Sequence, residues 1–302
     1  MFNDLTHTDY DKLHPFFMPQ SHRLCYYSLS SLIVWTNQFS KPVWKIENNA
    51  LIAGMVFYSR PEKSYLLLPV ANGKELSPAR IYKIAKSSNF NKYQFVPEDY
   101  VISHNYTDLK HLFTVIEQPR YEDYVYKTSD LAELKGKKYA KKRNLISQFR
   151  KNMNGVNKVE TTVISEADIP ECLDFLDIWA STKKYDVDTN EDAACEKQAT
   201  ANALVNINRV GLRGLILRLN NELKAFGIGS QLTDDIGGFH FQKADPAVKG
   251  LYQYFDQQCA QELFGSFEYI NKECDMGDPG LRQAKRSYYP ETTVKSYQLI
   301  LK

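Results

Sequence analysis

No run of about 20 apolar residues, the length a helix needs to cross a bilayer, occurs in the 302-residue chain. The opening MFNDLTHTDYDKL has neither a basic stretch nor an apolar core, which excludes a secretory leader of the usual kind. Cysteine is scarce. Cys25, Cys172, Cys195, Cys259 and Cys274 are scattered and form no Cys-x-x-Cys pair, which argues against a disulfide framework and against a zinc site. The expectation is a cytoplasmic protein, at most peripheral to the inner face of a membrane.

The common nucleotide and hydrolase signatures are missing too. There is no Gly-x-x-x-x-Gly-Lys-Ser/Thr loop, no strand-linked Gly-x-Gly-x-x-Gly, no His-Glu-x-x-His and no Gly-x-Ser-x-Gly. Gly227-Ile228-Gly229-Ser230 lies inside a strand pattern and lacks the third glycine. Nucleotide hydrolysis, dinucleotide redox chemistry, zinc proteolysis and serine hydrolysis therefore have no motif behind them.

What is present is a globular balance: 43% hydrophobic and 25% charged residues, with 20 Tyr and 16 Phe. The net charge is only +2, but it is uneven. Between Lys135 and Lys151 stand eight basic residues and no acidic one, which leaves the rest of the chain mildly acidic. Periodicity predicts short strands at Pro42–Glu47, Leu51–Tyr58 and Ser64–Val70, with a turn at Asn48-Asn49, then a helix from Pro78 and a strand at Tyr93–Val96. A second mixed unit starts near Tyr121. It carries a basic helix within Leu131–Met153, an amphipathic helix over Ile169–Ala180 and another from Glu191. Strands at Gly214–Leu219 and Leu223–Leu232 follow, joined at Asn220-Asn221, then Gly237–Gln242, a helix over Val248–Phe264, a strand at Phe267–Asn271, a short helix from Pro279 and a last strand at Lys295–Leu301. The reading is α+β, with mainly antiparallel mixed sheets flanked by helices, divided into residues 1–120 and 121–302 and with any chemistry in the second part.

Three clusters could carry function. On the basic helix, Lys141 falls in solvent, whereas Lys142 lands inside the apolar stripe with Lys138 at its edge. Such a lysine either snorkels, makes an ion pair or aims a cation at an anionic group, and the whole face is either solvated or holds a phosphate backbone. The second cluster is Phe239-His240-Phe241-Gln242-Lys243. Strict alternation puts Phe239, Phe241 and Lys243 on one face and His240 on the other, with Gly250 letting a ligand approach the backbone. His240 is either a general base or a packed histidine. The third cluster follows a strand end: Asn271, Glu273 and Asp275 alternate, then a capped helix presents Arg282, Lys285 and Arg286 on one face. It is either a surface salt-bridge cluster or a site for an amine together with a phosphate or carboxylate.

Tyr124-Val125-Tyr126-Lys127, Leu134-Lys135-Gly136-Lys137-Lys138, Lys141-Lys142-Arg143-Asn144, His240-Phe241-Gln242-Lys243, Lys249-Gly250, Asn271-Lys272-Glu273-Cys274-Asp275, Gly280-Leu281-Arg282 and Lys285 together resemble the bacterial family named for the phosphatidylglycerol lysyltransferase C-terminal domain. The resemblance covers nearly the whole chain and is strongest from Tyr121 onward. It implies two tandem GNAT-like domains, the second carrying the active site. It also implies transfer of an aminoacyl group from aminoacyl-tRNA to a hydroxyl or amine on a lipid head group or peptide. On this reading Lys138, Lys141, Lys142 and Arg143 hold the tRNA. Lys243, Arg282 and Lys285 contact donor phosphate or an oxyanion, Asn271 and Gly250 line the substrate, and Glu273 or Asp275 acts as base with His240 in reserve. No metal and no DNA partner are implied. Two enzyme-level and binding-level alternatives remain: a CoA-dependent N-acyltransferase using acetyl-CoA or acyl-CoA on a small amine, and a non-catalytic RNA- or small-molecule-binding module. The sequence departs from the acetyl-CoA enzymes in lacking their phosphate loop at Asp245–Gly250, and it has Cys274 where an acidic residue is expected.

Overall fold

Two asparagine pairs set the hairpins around which the sheets are built. Asn48-Asn49 (φ 51° and 61°) and Asn220-Asn221 (φ 50° and 69°) are all left-handed, the conformation of the two-residue turn whose twist matches that of its flanking strands. In a computed structural model that describes residues 1–71, 75–104, 106–153, 158–182 and 191–302, they join β2 (Ser40–Glu47) to β3 (Ala50–Phe57) and β9 (Leu212–Leu219) to β10 (Glu222–Gln231).

The remaining strands are β1 (Asn3–Asp4), β4 (Tyr65–Leu66), β5 (Lys92–Pro97), β6 (Phe113–Glu117), β7 (Asp123–Lys127), β8 (Val159–Val163), β11 (Ile236–Ala244), β12 (Tyr269–Asn271), β13 (Thr292–Val294) and β14 (Ser296–Leu301). The helices are α1 (Tyr10–Phe17), α2 (Leu29–Val34), α3 (Pro78–Ser87), α4 (Glu98–Ser103), α5 (Tyr106–Leu112), α6 (Thr128–Glu133), α7 (Ala140–Asn152), α8 (Ile169–Thr182), α9 (Glu191–Val205), α10 (Leu251–Glu262) and α11 (Pro279–Arg286). Among the described residues no helix is long and apolar enough to cross a membrane.

The strands form two seven-stranded sheets, ordered β1-β2-β3-β4-β5-β14-β6 and β8-β9-β10-β11-β12-β7-β13. The two are the same design. In each, the fourth and fifth strands are parallel and every other pairing is antiparallel. The sixth position is filled by β14, from the C-terminal end of the chain, in the first sheet and by β7, the first strand of the second unit, in the second. β7 follows β6 directly in sequence yet sits in the second sheet, and β14 follows β13 yet sits in the first. The division at 120/121 thus tracks the strands only as far as β13.

One core spans the two sheets. Phe226, Ile228 and Phe241 from the second sheet, with Cys172 and Leu176 of α8 and Ala203 and Leu204 of α9, pack with Leu32, Leu66 and Tyr93 of the first unit. A second core lies on the far face of the second sheet, where Phe239 and Ile270 meet Leu251, Phe255 and Phe264 beneath α10, and Ile146 and Phe149 of α7 close it. The basic segment, read as mostly one helix, is broken into α6, a 3-10 turn at Lys137–Tyr139 and α7. Leu134 (φ 51°) and Gly136 (φ 86°) are left-handed and stop the first piece.

Candidate functional site

The parallel pair β11 and β12 is joined over only three residues, ending at Gly238 opposite Asn271. β11 runs on to Ala244, whereas the chain after Asn271 leaves β11 and stays paired with β7 through Glu273. The two strands part there in a wedge. The first residue of β11 beyond the pairing is Phe239, and the next, His240, is a bulge. Gly229 pairs with Phe239 and Ile228 with Phe241, so His240 is the extra residue. A bulge breaks alternation. Phe239 faces α10, whereas Phe241 belongs to the core shared with the first unit, and His240 also turns that way. The strict alternation read from sequence is corrected here: Phe239 and Phe241 lie on opposite faces.

His240 joins a polar chain across the interface. Its Nε2 lies 2.8 Å from Ser230 Oγ on β10, and Ser230 Oγ is 3.0 Å from Ser28 Oγ, which also caps α2. Its Nδ1 lies 2.8 Å from Glu273 Oε1. The histidine side chain is 1% exposed and the glutamate 25%, so the glutamate is the end that meets solvent. Glu273 holds this place with φ +60°, a left-handed backbone that costs a non-glycine residue energy. Its N–H donates to Asn271 Oδ1 at 2.7 Å, which fixes the turn.

Around this chain the other residues singled out from sequence are engaged within the protein. Asn271 is fully buried, and its Nδ2 donates to Arg23 O (2.7 Å) and Asp123 Oδ2 (2.9 Å). Asp123 also accepts from Cys25 N–H at 2.8 Å. Burial raises its carboxyl to about 7 despite these two donors, with Glu273 adding to the rise. Asp275 is buried and takes a two-pronged contact from Arg282 (2.8 and 3.2 Å), the Tyr124 hydroxyl (2.7 Å) and the Gly277 N–H (2.8 Å). Burial alone would lift its pKa, but those donors hold it below the usual carboxylate value. Lys285 Nζ donates to the carbonyls of Lys272, Glu273 and Cys274 (2.5, 3.0 and 2.6 Å), and burial lowers its pKa. Arg282 and Lys285 thus brace the turn that presents Glu273, and of the two acidic candidates only Glu273 reaches both His240 and solvent. Lys243 is 3% exposed, paired with Glu196 and stacked 4.2 Å above the Trp179 ring. Gly250 (φ +81°) does make room for a backbone approach, but what approaches is the Leu145 carbonyl of α7. A Cβ at this position would overlap that oxygen.

The basic residues separate into two kinds. Lys141 is exposed on α7, and Lys138, also exposed, pairs with Asp130 at 2.9 Å and lies beside the Tyr139 and Tyr289 rings. Lys142 is half-buried, 3.7 Å above the Tyr288 ring and 2.7 Å from Ser287 Oγ. Burial lowers its pKa to about 8, with Asp256 opposing the drop and Lys272 adding to it. Arg143 donates to the carbonyls of Leu134 and Gly136, closing the end of α6.

Sequence reasoning missed Cys25, Ser28, Asp123 and Ser230. Ser28 and Ser230 stand 202 residues apart and meet only because the first unit packs on the second sheet. The one local hint, a serine before an apolar helix at Ser28, points to a cap and not to a partner.

Two sheets of one strand order, each with a single parallel pair, and in the second a wedge lined by a histidine–glutamate pair, define a tandem GNAT-like α+β protein. The chain belongs to the phosphatidylglycerol lysyltransferase C-terminal family, whose profile matches residues 22–300. It is 32% identical to a conserved protein of unknown function from Bacteroides thetaiotaomicron VPI-5482, over 100% of this chain and 99% of that one, with a TM-score of 0.85. L-PGS from Bacillus licheniformis shares the fold at 14% identity, over 96% of this chain and 91% of that one, with a TM-score of 0.65. No curated protein matches the chain.

Proposed function

We propose that this protein transfers an aminoacyl group from aminoacyl-tRNA to a hydroxyl or amine on an acceptor, a lipid head group or a peptide. The observation that carries this reading is the Glu273–His240 pair at the wedge, in a chain of this family. Glu273 is the base. It takes the proton from the acceptor as the acceptor attacks the ester carbonyl, and the bond from the carbonyl carbon to the tRNA 3′ oxygen breaks. That oxygen leaves with a proton returned from Glu273. His240 is a positioning residue that holds the carboxylate and is itself held by Ser230. An aminoacyl ester is already activated, so orientation and a placed base supply much of the rate. Lys138 and Lys141, both exposed around the start of α7, contact the phosphate backbone.

The test follows an amino acid label from charged tRNA into a lipid extract and into small peptides. Glu273→Gln is expected to lower the rate by at least about 100-fold, the range for a general base, with tRNA binding kept. A full rate in the folded variant would remove Glu273 from the chemistry. Replacing Lys138 and Lys141 by Ala should weaken tRNA binding and reduce the salt slope by about 1 for each phosphate no longer touched. An unchanged slope would return α7 to a solvated surface.

A further inference from the structure

Three side chains of different chemistry converge beside the wedge. Cys25, at the start of a 3-10 turn in the first unit, His240 on the β11 bulge and Glu273 after β12 bring Sγ, a ring nitrogen and a carboxylate oxygen within 4.8 Å of one another. A thiolate, an imidazole and a carboxylate are the donor types that Zn²⁺ accepts together, with three protein ligands and an open fourth position. Three independent features favour a cation there. First, a buried carboxyl stands beside Cys25: Asp123 accepts from Cys25 N–H, and its Oδ1 finds no hydrogen-bond partner among the described residues. The nearby ammonium, Lys285, is turned onto three backbone carbonyls. Second, His240 has an outer support of the kind that orients metal-bound imidazoles, since the ring nitrogen away from Glu273 meets Ser230 Oγ at 2.8 Å. Third, the space is kept small-sided. A Cβ on Gly238 would lie 3.0 Å from His240 Cε1 and 3.5 Å from Cys25 Sγ.

We propose that Cys25, His240 and Glu273 form a binding site for one soft divalent cation, Zn²⁺ by its donor set, that joins the first unit to the second sheet. On binding, the ion takes the imidazole nitrogen and the carboxylate that otherwise hydrogen-bond to each other, and the Cys25 thiol gives its proton to water. The scattered cysteines argue against a zinc site in the sequence because no two are close along the chain. The fold supplies a mixed donor set from three distant segments. A bound ion would occupy Glu273 and so compete with its role as base, but metal binding is read by itself, so the two readings fail separately.

The probes are ZnCl₂ and CoCl₂ added to the full chain freed of metal. The expected result is one zinc per chain by elemental analysis after dialysis, a higher unfolding temperature with zinc, and a Co²⁺ complex with a thiolate-to-metal charge-transfer band. Cys25→Ser is nearly isosteric, and Glu273→Gln removes a ligand from a different element. Each should weaken binding by at least about tenfold, the loss that even an outer partner causes, and Cys25→Ser should abolish the thiolate band. Failure to retain zinc, a cobalt complex without the thiolate band, or unchanged affinity in both folded variants would overturn the proposal.

Discussion

Lys141 and Lys142 are adjacent in sequence and opposite in setting, and the difference predicts their behaviour. Lys142 faces Tyr288, Ser287, Asp256 and Lys272. An amine whose folded pKa lies near 8 binds fewer protons in the native state than in the unfolded chain, where it titrates at about 10.4. Its cost is fully present below pH 8 and fades as pH climbs between those values, so its contribution to stability rises with pH there. Replacing Lys142 by Met should flatten that rise, read as the shift in urea midpoint between about pH 7.5 and pH 9.5. The same side chain should matter little to tRNA affinity, whereas Lys141→Ala should lower it. Arg282 makes a parallel case. Its guanidinium side chain is 40% exposed, but it caps an Asp275 side chain that is 3% exposed. Arg282→Ala should lower the urea midpoint because a buried carboxylate loses its main donor. A stability equal to that of the native protein would show that Tyr124 and Gly277 suffice. The sequence placed Asp275, Arg282 and Lys285 in one neighbourhood correctly. It could not tell a working carboxylate from a braced one, because that depends on Tyr124, 151 residues away.

At the scale of elements, the long hairpin strands were legible, whereas β1, β6, β7, β8, β13 and the irregularities were not. Alternating apolar residues and paired asparagines marked β2, β3, β9 and β10 within a residue or two of their ends. The bulge at His240 left no trace in the residue pattern, because Phe239 and Phe241 are both apolar and each finds a core, one on either face. The break between α6 and α7 was hidden for a similar reason: lysines tolerate helix and loop alike, and Leu134 adopts a left-handed conformation that leucine seldom takes. Gly250 gives the sharpest element-level prediction. Its left-handed backbone and its contact with the Leu145 carbonyl leave no place for a methyl group. Gly250→Ala should lower stability by about 2 kcal/mol or more and shift α7 away from α10. Thermal unfolding reads the first effect, and hydrogen exchange in α7 the second. An unchanged melting temperature would mean that the two helices do not depend on that approach.

For the whole molecule, the return of β14 to the first sheet ties the two units together. A protein cut after residue 294 would leave β5 and β6 without the strand that pairs with both, exposing two open edges in the first sheet. Such a truncation should yield aggregated protein, and a synthetic peptide of residues 295–302 supplied during refolding should recover soluble material. Recovery of the truncated form as a folded monomer would show that the first sheet closes by itself. For the same reason a fragment of residues 1–120 is not expected to fold alone, and the intact chain should unfold in one transition by fluorescence and circular dichroism alike. The α+β class and the duplicated outline were readable from the order of strands and helices. The return of β14 was not, because it looks like any other half-buried strand, and chain order pairs neighbours by default.

β14 also sets a timetable for biosynthesis. The ribosome makes β1 through β6 first, but the place between β5 and β6 stays vacant until residues 296–301 emerge, after every strand of the second sheet has been made. The early half of the nascent chain therefore keeps open strand edges until that strand arrives. A chain that stops before residue 296 lacks the strand that pairs with both β5 and β6, so its first sheet stays open.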